Sequence, residues 1–376
     1  MNNFWSYKTE YKKLKKVILK SIDRSLTSES IFFGSELKKF ENEFNRLNKS
    51  KFGLAVGSGT EALYIALKCF NIGFGDEVIT VSNSAIPTVS AINSTGAKAT
   101  FVDIGEDYLI NPEKIIKKIN KRTKAIIPVH LYGHPCDMEK ICKIANKYKL
   151  KVIEDCAQAQ GATIKNKYIG TFGDAGCFSF YPTKILGAYG DGGFITVKSK
   201  NICEKMKRIR FYGIEKVNKK NKYYGKYYSN EPGVNSRIDE VQLSILNIKI
   251  KQVRKNIYKR SNIANFYNKE LKDTSLILPK VAKNNKHVFH LYTVYHKKRE
   301  AIIKKLKRKN IKINIYYPYP IHQMKGYKKN FNSYKDKLPV TEKLSKGIFS
   351  LPLYPEISKK DLLKITKNLK NILNYI

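Results

Sequence analysis

The stretch Phe178–Phe194, FSFYPTKILGAYGDGGF, sets one lysine, Lys184, between an apolar strand-like run and a glycine-rich loop. Lysine and arginine together number 72 against 31 acidic residues, so a further lysine means little by count. Its surroundings mean more. An amine kept in an apolar, partly desolvated place loses basicity and becomes a nucleophile toward carbonyls. Ser179, five residues earlier, could offer a hydroxyl to an anion.

The same alternation of apolar runs and loops extends outward from this stretch. Runs such as FGLAVG, DEVITV, ATFVDI, TKAIIPVH, KVIEDC, AGCFSF and GGFITV recur through the first two-thirds of the chain. Helical patterns, GTEALYIALKCF, NPEKIIKKI and MEKICKIANKYK, lie between several of them. Nearly continuous apolar strands alternating with helices predict an α/β fold with a mostly parallel sheet covered on both faces. The last two runs follow each other with only a loop between, which predicts a hairpin and a mixed sheet. After GVNSRIDEVQ the pattern changes. A long helix is expected toward Leu271, then a strand in VFHLYTVYH, a helix in REAIIKKLKRKN, a strand in IKINIYY and a terminal helix from Ser358. Two domains follow, a large one over residues 1–245 and a smaller α+β one over 246–376. The run from Lys216 to Ser229 reads as an exposed loop.

Composition narrows the classes. Hydrophobic residues make up 42% of the 376 residues and are spread along the chain, as in a globular protein. No run of about 18 apolar residues suggests a membrane span, and the first residues lack the apolar core of a signal peptide. The six cysteines have no CxxC or CxxH spacing, so reduced thiols in a cytoplasm are expected and no metal site is. A formal charge of +41 invites an anionic partner. The lysines are scattered through nearly every helical pattern, however, and no nucleic-acid-binding signature accompanies them. The charge fits a lysine- and asparagine-rich composition, with a nucleic-acid partner not expected and an acidic small substrate favoured.

Two further stretches aim chemistry at one place. In KVIEDCAQAQGA an apolar run ends in Glu154 and Asp155, with Gln158 three residues on. A carboxylate at the carboxyl end of a buried parallel strand points into the ligand crevice of an α/β protein; capping a following helix is the other reading. In GSGTEALYIALKCF, small residues lead through Gly59 and Thr60 into a helix whose free N–H groups can hold an anion. A lysine, a carboxylate and an anion cradle are together what pyridoxal 5'-phosphate requires.

The sequence resembles the DegT/DnrJ/EryC1/StrS nucleotide-sugar aminotransferases, which have the fold of type I pyridoxal-phosphate enzymes. The resemblance is carried by GSGTEAL, GDEVITV, IIPVHLYG, VIEDCAQAQGA, GDAGCFSFYPTK, GAYGDGG, GVNSRIDEVQ and SLPLYPEIS, in order along nearly the whole chain. It implies that Lys184 carries the cofactor covalently and shuttles a proton, and that Asp155 pairs with the ring nitrogen. It implies that Gln158 meets the ring hydroxyl oxygen and that Gly59, Thr60 and Ser179 hold the phosphate. Asn235 would reach the phosphate of a neighbouring subunit, making a homodimer with shared active sites. Two positions depart from the pattern. Ala85 in NSAIPT stands where many relatives place an aromatic residue, and Tyr316 stands where many have histidine. His322, Tyr316, Tyr189 and Ala85 are expected near the sugar. The resemblance implies a cytoplasmic enzyme using L-glutamate and a nucleotide-linked keto sugar, most like those acting at C-3 of dTDP-linked 3-keto-6-deoxyhexoses for lipopolysaccharide or another surface glycan. The rival readings are C-4 amination of the perosamine or viosamine type, a sugar dehydratase, whose relatives carry histidine at position 184, and a DNA-binding regulator.

Overall fold

The computed structural model describes residues 4–214, 228–328 and 337–376. Its strands are β1 (Phe52–Val56), β2 (Glu77–Val81), β3 (Lys98–Val102), β4 (Thr123–Ile126), β5 (Lys151–Asp155), the short pair β6 (Thr163–Ile164) and β7 (Lys167–Tyr168), β8 (Ala175–Ser179) and β9 (Gly193–Val197). In the C-terminal part follow β10 (Asn285–Lys286), β11 (Tyr292–Tyr295) and β12 (Ile348–Leu351). The helices are α1 (Lys8–Thr27), α2 (Ser35–Asn48), α3 (Gly59–Cys69), α4 (Ile86–Ser94), α5 (Pro112–Ile115), α6 (Met138–Lys147) and α7 (Lys200–Ile209). After them come α8 (Glu240–Lys249), α9 (Val253–Leu271), α10 (Arg299–Arg308), α11 (Lys325–Lys328), α12 (Pro339–Ser345) and α13 (Lys359–Leu373).

Seven strands form one sheet in the order β1-β9-β8-β5-β4-β2-β3. The neighbours from β8 to β3 are parallel, and β9 runs antiparallel to both β8 and β1. The expected hairpin is therefore present and makes the sheet mixed. Strands β2, β8 and β9 are buried along their whole length, as their unbroken apolar character requires when both faces are covered. One face packs residues of α3, α4 and α7, such as Ile65, Val89 and Met206, on Leu54, Val78 and Ile153. The opposite face is covered by α6, through Met138 and Ile141, and by α2 and α8, through Phe40, Phe44 and Leu243. Phe44 meets Phe194 at 4.6 Å and Phe178 at 5.1 Å between ring centroids.

The helix expected toward Leu271 is present, with a 3-10 turn at Ile250–Gln252 between α8 and α9. Its apolar residues up to Ile257 pack with the sheet-bearing part, and from Ile263 onward they join Tyr292, Phe349 and Ile365 in a second core. The run IKINIYY was expected to form a strand and does not. It makes one isolated bridge, Asn314 to Ser350. Pro318 and Pro320 follow and supply no N–H groups, so a ladder cannot continue, and the carbonyl of Tyr316 accepts a hydrogen bond from the Tyr132 hydroxyl instead. The partner of β11 is β12, the IFSL run. Most of the expected loop Lys216–Ser229 lies outside the described residues.

Strand alternation sends the two carboxylates at the end of β5 to opposite faces. Glu154 follows Val152 and is fully buried. It accepts hydrogen bonds from the N–H groups of Gly170, Phe172 and Gly173, each at 2.8 Å. His130 Nδ1 accepts from the N–H of Cys136 at 3.0 Å, so Nε2 carries the proton and faces Glu154 at 3.2 Å. Removing this carboxylate would strand several buried donors. Glu154→Ala should therefore lose about 3 kcal/mol or more of stability by urea denaturation; a loss below about 1 kcal/mol would show that the strand end is held by other contacts.

Candidate active site

Asp155 follows Ile153 to the face covered by α4. Its Oδ2 accepts from the Thr88 hydroxyl at 2.8 Å and its Oδ1 from the N–H of Ala157 at 3.1 Å. Burial raises its pKa, opposed by those two donors and by the charge of Lys184. After β8 the chain turns so that the N–H of Lys184 bonds the Tyr181 carbonyl at 2.9 Å. The packing of protein around the Lys184 ammonium lowers its pKa from 10.5 to about 8, and the Asp155 charge opposes the fall. Among the described residues, that ammonium has no hydrogen-bond partner within the protein.

Ser179 ends β8, opposite Gly193 of β9. A Cβ at Gly59 would lie 2.7 Å from the Cβ of Ser179, so only glycine lets the start of α3 come this close. Ser58 caps α3 by accepting the N–H of Glu61, which leaves the N–H groups of Gly59 and Thr60 without protein partners among the described residues. Two free N–H groups and a serine hydroxyl thus share one edge of the crevice, and Asp155 and Lys184 interact electrostatically within it. Gln158 is spoken for at both ends of its amide. Its Oε1 accepts from the N–H of Tyr132 at 2.8 Å, and its Nε2 donates to the Tyr317 hydroxyl at 3.0 Å.

This donor set fits pyridoxal phosphate: an anion cradle that a side chain at Gly59 would fill, a desolvated amine, and a buried carboxylate that a cationic ring would stabilise. Residues 12–370 match the sequence model of the DegT/DnrJ/EryC1/StrS aminotransferase family. The chain belongs to that family. It is a pyridoxal-phosphate-dependent aminotransferase. Among its relatives, dTDP-3-amino-3,4,6-trideoxy-alpha-D-glucose transaminase of Micromonospora megalomicea subsp. nigra is 41% identical over 94% of each chain. The dTDP-3-amino-3,6-dideoxy-alpha-D-galactopyranose transaminase of Aneurinibacillus thermoaerophilus is 40% identical over 94% of each. The crystal structure of S. venezuelae DesV in complex with a ketimine intermediate superposes with a TM-score of 0.94, covering 100% of this chain and 99% of that one at 32% identity.

The remaining expected residues of the aminotransferase are spread more widely. Asn235 is exposed and forms a backbone bridge to Phe211. Its neighbour Ser236 accepts the N–H of Gly57 and donates to Glu61, both at 3.0 Å, which ties this segment to the start of α3. Ala85 is the residue before α4. Tyr189 lies in the loop after Lys184, with Lys249 Nζ 4.5 Å from its ring centroid. Tyr316 and Tyr317 enter from the C-terminal part. His322 is turned inward: Nδ1 lies 2.7 Å from Ser82 Oγ and Nε2 lies 3.4 Å from Glu342. Thr88, Tyr132, Tyr317 and Gln160 were not foreseen. Gln160 donates to the carbonyls of Ser179 and Leu186, at 2.6 and 3.3 Å, and so fixes the turn that leads to and from Lys184. A lone threonine in the apolar start of α4 was the available signal for Thr88.

Two outcomes follow from these charges. Because the Lys184 amine is neutral only above about pH 8, reaction of the cofactor-free protein with pyridoxal phosphate should speed up about tenfold per pH unit below that value and level off above it. Stopped-flow absorbance would show this, and a rate that rises unchanged to pH 10 would contradict the lowered pKa. Asp155→Asn should fold normally yet lose about a hundredfold or more in turnover, the scale of a lost electrostatic contact in a site of this kind; steady-state kinetics close to wild type would rule out that role.

Proposed function

We propose that this aminotransferase moves the amino group of L-glutamate onto the 3-keto group of a dTDP-linked 6-deoxyhexose, making a 3-amino-3,6-dideoxy sugar nucleotide for a surface glycan. The observation that carries this reading is the agreement of the Micromonospora and Aneurinibacillus relatives. Both are named for dTDP sugars with the amine at carbon 3, at 41% and 40% identity over 94% of this chain.

Pyridoxal phosphate, when bound, supplies the carbonyl that carries the amine between substrates and a ring that draws electrons from the carbon losing its proton. Asp155 holds a proton on the ring nitrogen, since its carboxylate is buried and still has lone pairs beyond those used by Thr88 and Ala157. Lys184, neutral above about pH 8, accepts a proton at its Nζ from the substrate carbon and returns it. Gly59, Thr60 and Ser179 bind the phosphate, and Gln158 meets the ring hydroxyl oxygen through the N–H that Tyr317 leaves free. Asn235 serves the phosphate of the partner in a cytoplasmic homodimer; its exposure and its tie to the start of α3 support that reading. Ala85, Tyr189 and Tyr316 stand on the sugar side, and His322 acts there by anchoring the loop that bears Tyr316.

The nucleotide orients the sugar from a distance, so the sugar pocket decides which carbonyl reaches the cofactor. Supplied separately with glutamate, a dTDP-3-keto-6-deoxyhexose should be turned over at least about tenfold more efficiently than its 4-keto isomer, a ratio needing only about 1.4 kcal/mol. Location of the new amine by NMR tests this. An amine at carbon 4 would leave the aminotransferase standing and replace C-3 with C-4 chemistry.

A further inference from the structure

The segment before α1 links two loops that the sequence places beside the crevice. The Phe4 ring packs on Tyr316 with centroids 5.9 Å apart, and the Tyr7 ring packs on Tyr189 at 5.4 Å. Tyr316 belongs to the C-terminal loop that bonds Tyr132 and Gln158, while Tyr189 belongs to the loop leaving Lys184. Four residues therefore join the two walls, and the three Cα–Cα steps between Phe4 and Tyr7 span at most about 11 Å. Trp5 and Ser6 lie in the span, both half-buried. The Trp5 ring stands 5.4 Å from that of Tyr7.

The far side of the strap is firmly held. Tyr11, one turn into α1, meets Tyr189 edge-on at 5.9 Å. Glu10 pairs at 2.8 Å with Lys249, whose own side chain is buried. The strap thus starts from a fixed helix and ends on Tyr316, beside a site that must admit a large anionic substrate. Tyrosine and tryptophan present rigid faces that lose little freedom on binding, and an aromatic face accepts any planar base.

We propose that Phe4–Tyr7 is a substrate-binding strap in which Trp5 offers the stacking face for the nucleobase of the nucleotide sugar. The assignment rests on the nucleotide-sugar reading above. Phe4 and Tyr7 fasten the strap to the two walls, and Trp5 lies between them.

Trp5 is the only tryptophan in the chain, so its fluorescence reports on this one position. In the full-length protein loaded with pyridoxal phosphate, dTDP should quench that fluorescence saturably, and glucose 1-phosphate, which lacks a base, should not. By calorimetry, Trp5→Leu should bind dTDP roughly tenfold or more weakly, and Trp5→Phe should retain most of the affinity. The melting temperature and the visible absorbance of bound cofactor in both variants report on folding. Wild-type dTDP affinity in a folded Trp5→Leu protein, or unchanged fluorescence at saturating dTDP, would overturn the strap while leaving the nucleotide-sugar reading intact. If the wild-type protein binds neither dTDP nor UDP, both readings fall together.

Discussion

The site depends on one electrostatic constraint: a buried carboxylate and a poorly solvated amine sharing a crevice. Burial raises the pKa of Asp155 and lowers that of Lys184, and each charge partly offsets the shift of the other. Neither ionised form is well served by the protein alone. In the proposed reading, a protonated ring beside Asp155 and an anionic phosphate at the start of α3 would supply the charges that this arrangement lacks. The same constraint explains Thr88 and Ala157, whose donors oppose the rise that burial gives the carboxylate's pKa.

Such a carboxylate is useful only if the strand end that bears it cannot move. Glu154 provides that by facing the other way, where three N–H groups and His130 hold it. Adjacent residues of one strand thus do opposite work. One is fully satisfied and fixes the backbone, while the other is left open toward the crevice. The C-terminal part is joined to this rigid frame at the site, by Gln158 to Tyr317, Tyr132 to Tyr316 and Ser82 to His322, and away from it, by β10 on β6 and by Val340 and Thr341 on Asp103. The substrate side of the crevice is therefore built from a loop whose position depends on the cofactor side.

The sequence made some of this legible and left the rest hidden, for physical reasons. Strands buried on both faces must be apolar throughout, so β2, β8 and β9 are readable as continuous runs. Gly59, Asp155, Ser179 and Lys184 sit in short motifs with local spacing, and those motifs pointed to them. Thr88 and Tyr317 carry no such mark. They reach Asp155 and Gln158 from 67 and 159 residues away, and only the fold brings them together. The strand expected in IKINIYY is absent because Pro318 and Pro320, which follow, cannot donate to a ladder, and alternation within the run carries no sign of them. The resemblance places His322 near the sugar, and in the fold its ring nitrogens face Ser82 and Glu342.

Magnitudes explain why chemistry is easier to read here than specificity. Activating an amine and stabilising charge on the cofactor take several kcal/mol, which only a few side-chain types in fixed positions can supply. That requirement produces motifs. Choosing between neighbouring carbonyls of one sugar takes on the order of 1–2 kcal/mol, less than many single buried contacts contribute. Any of several residues can provide it, through a shifted ring or one hydrogen bond. In the proposed reading the freedom falls on Ala85, Tyr189, Tyr316 and the aromatic strap before α1. All lie on loops or element ends and none on the strands that hold Asp155 and Ser179. A rigid sheet can thus keep one cofactor chemistry unchanged while the loops around it decide which carbonyl that chemistry meets.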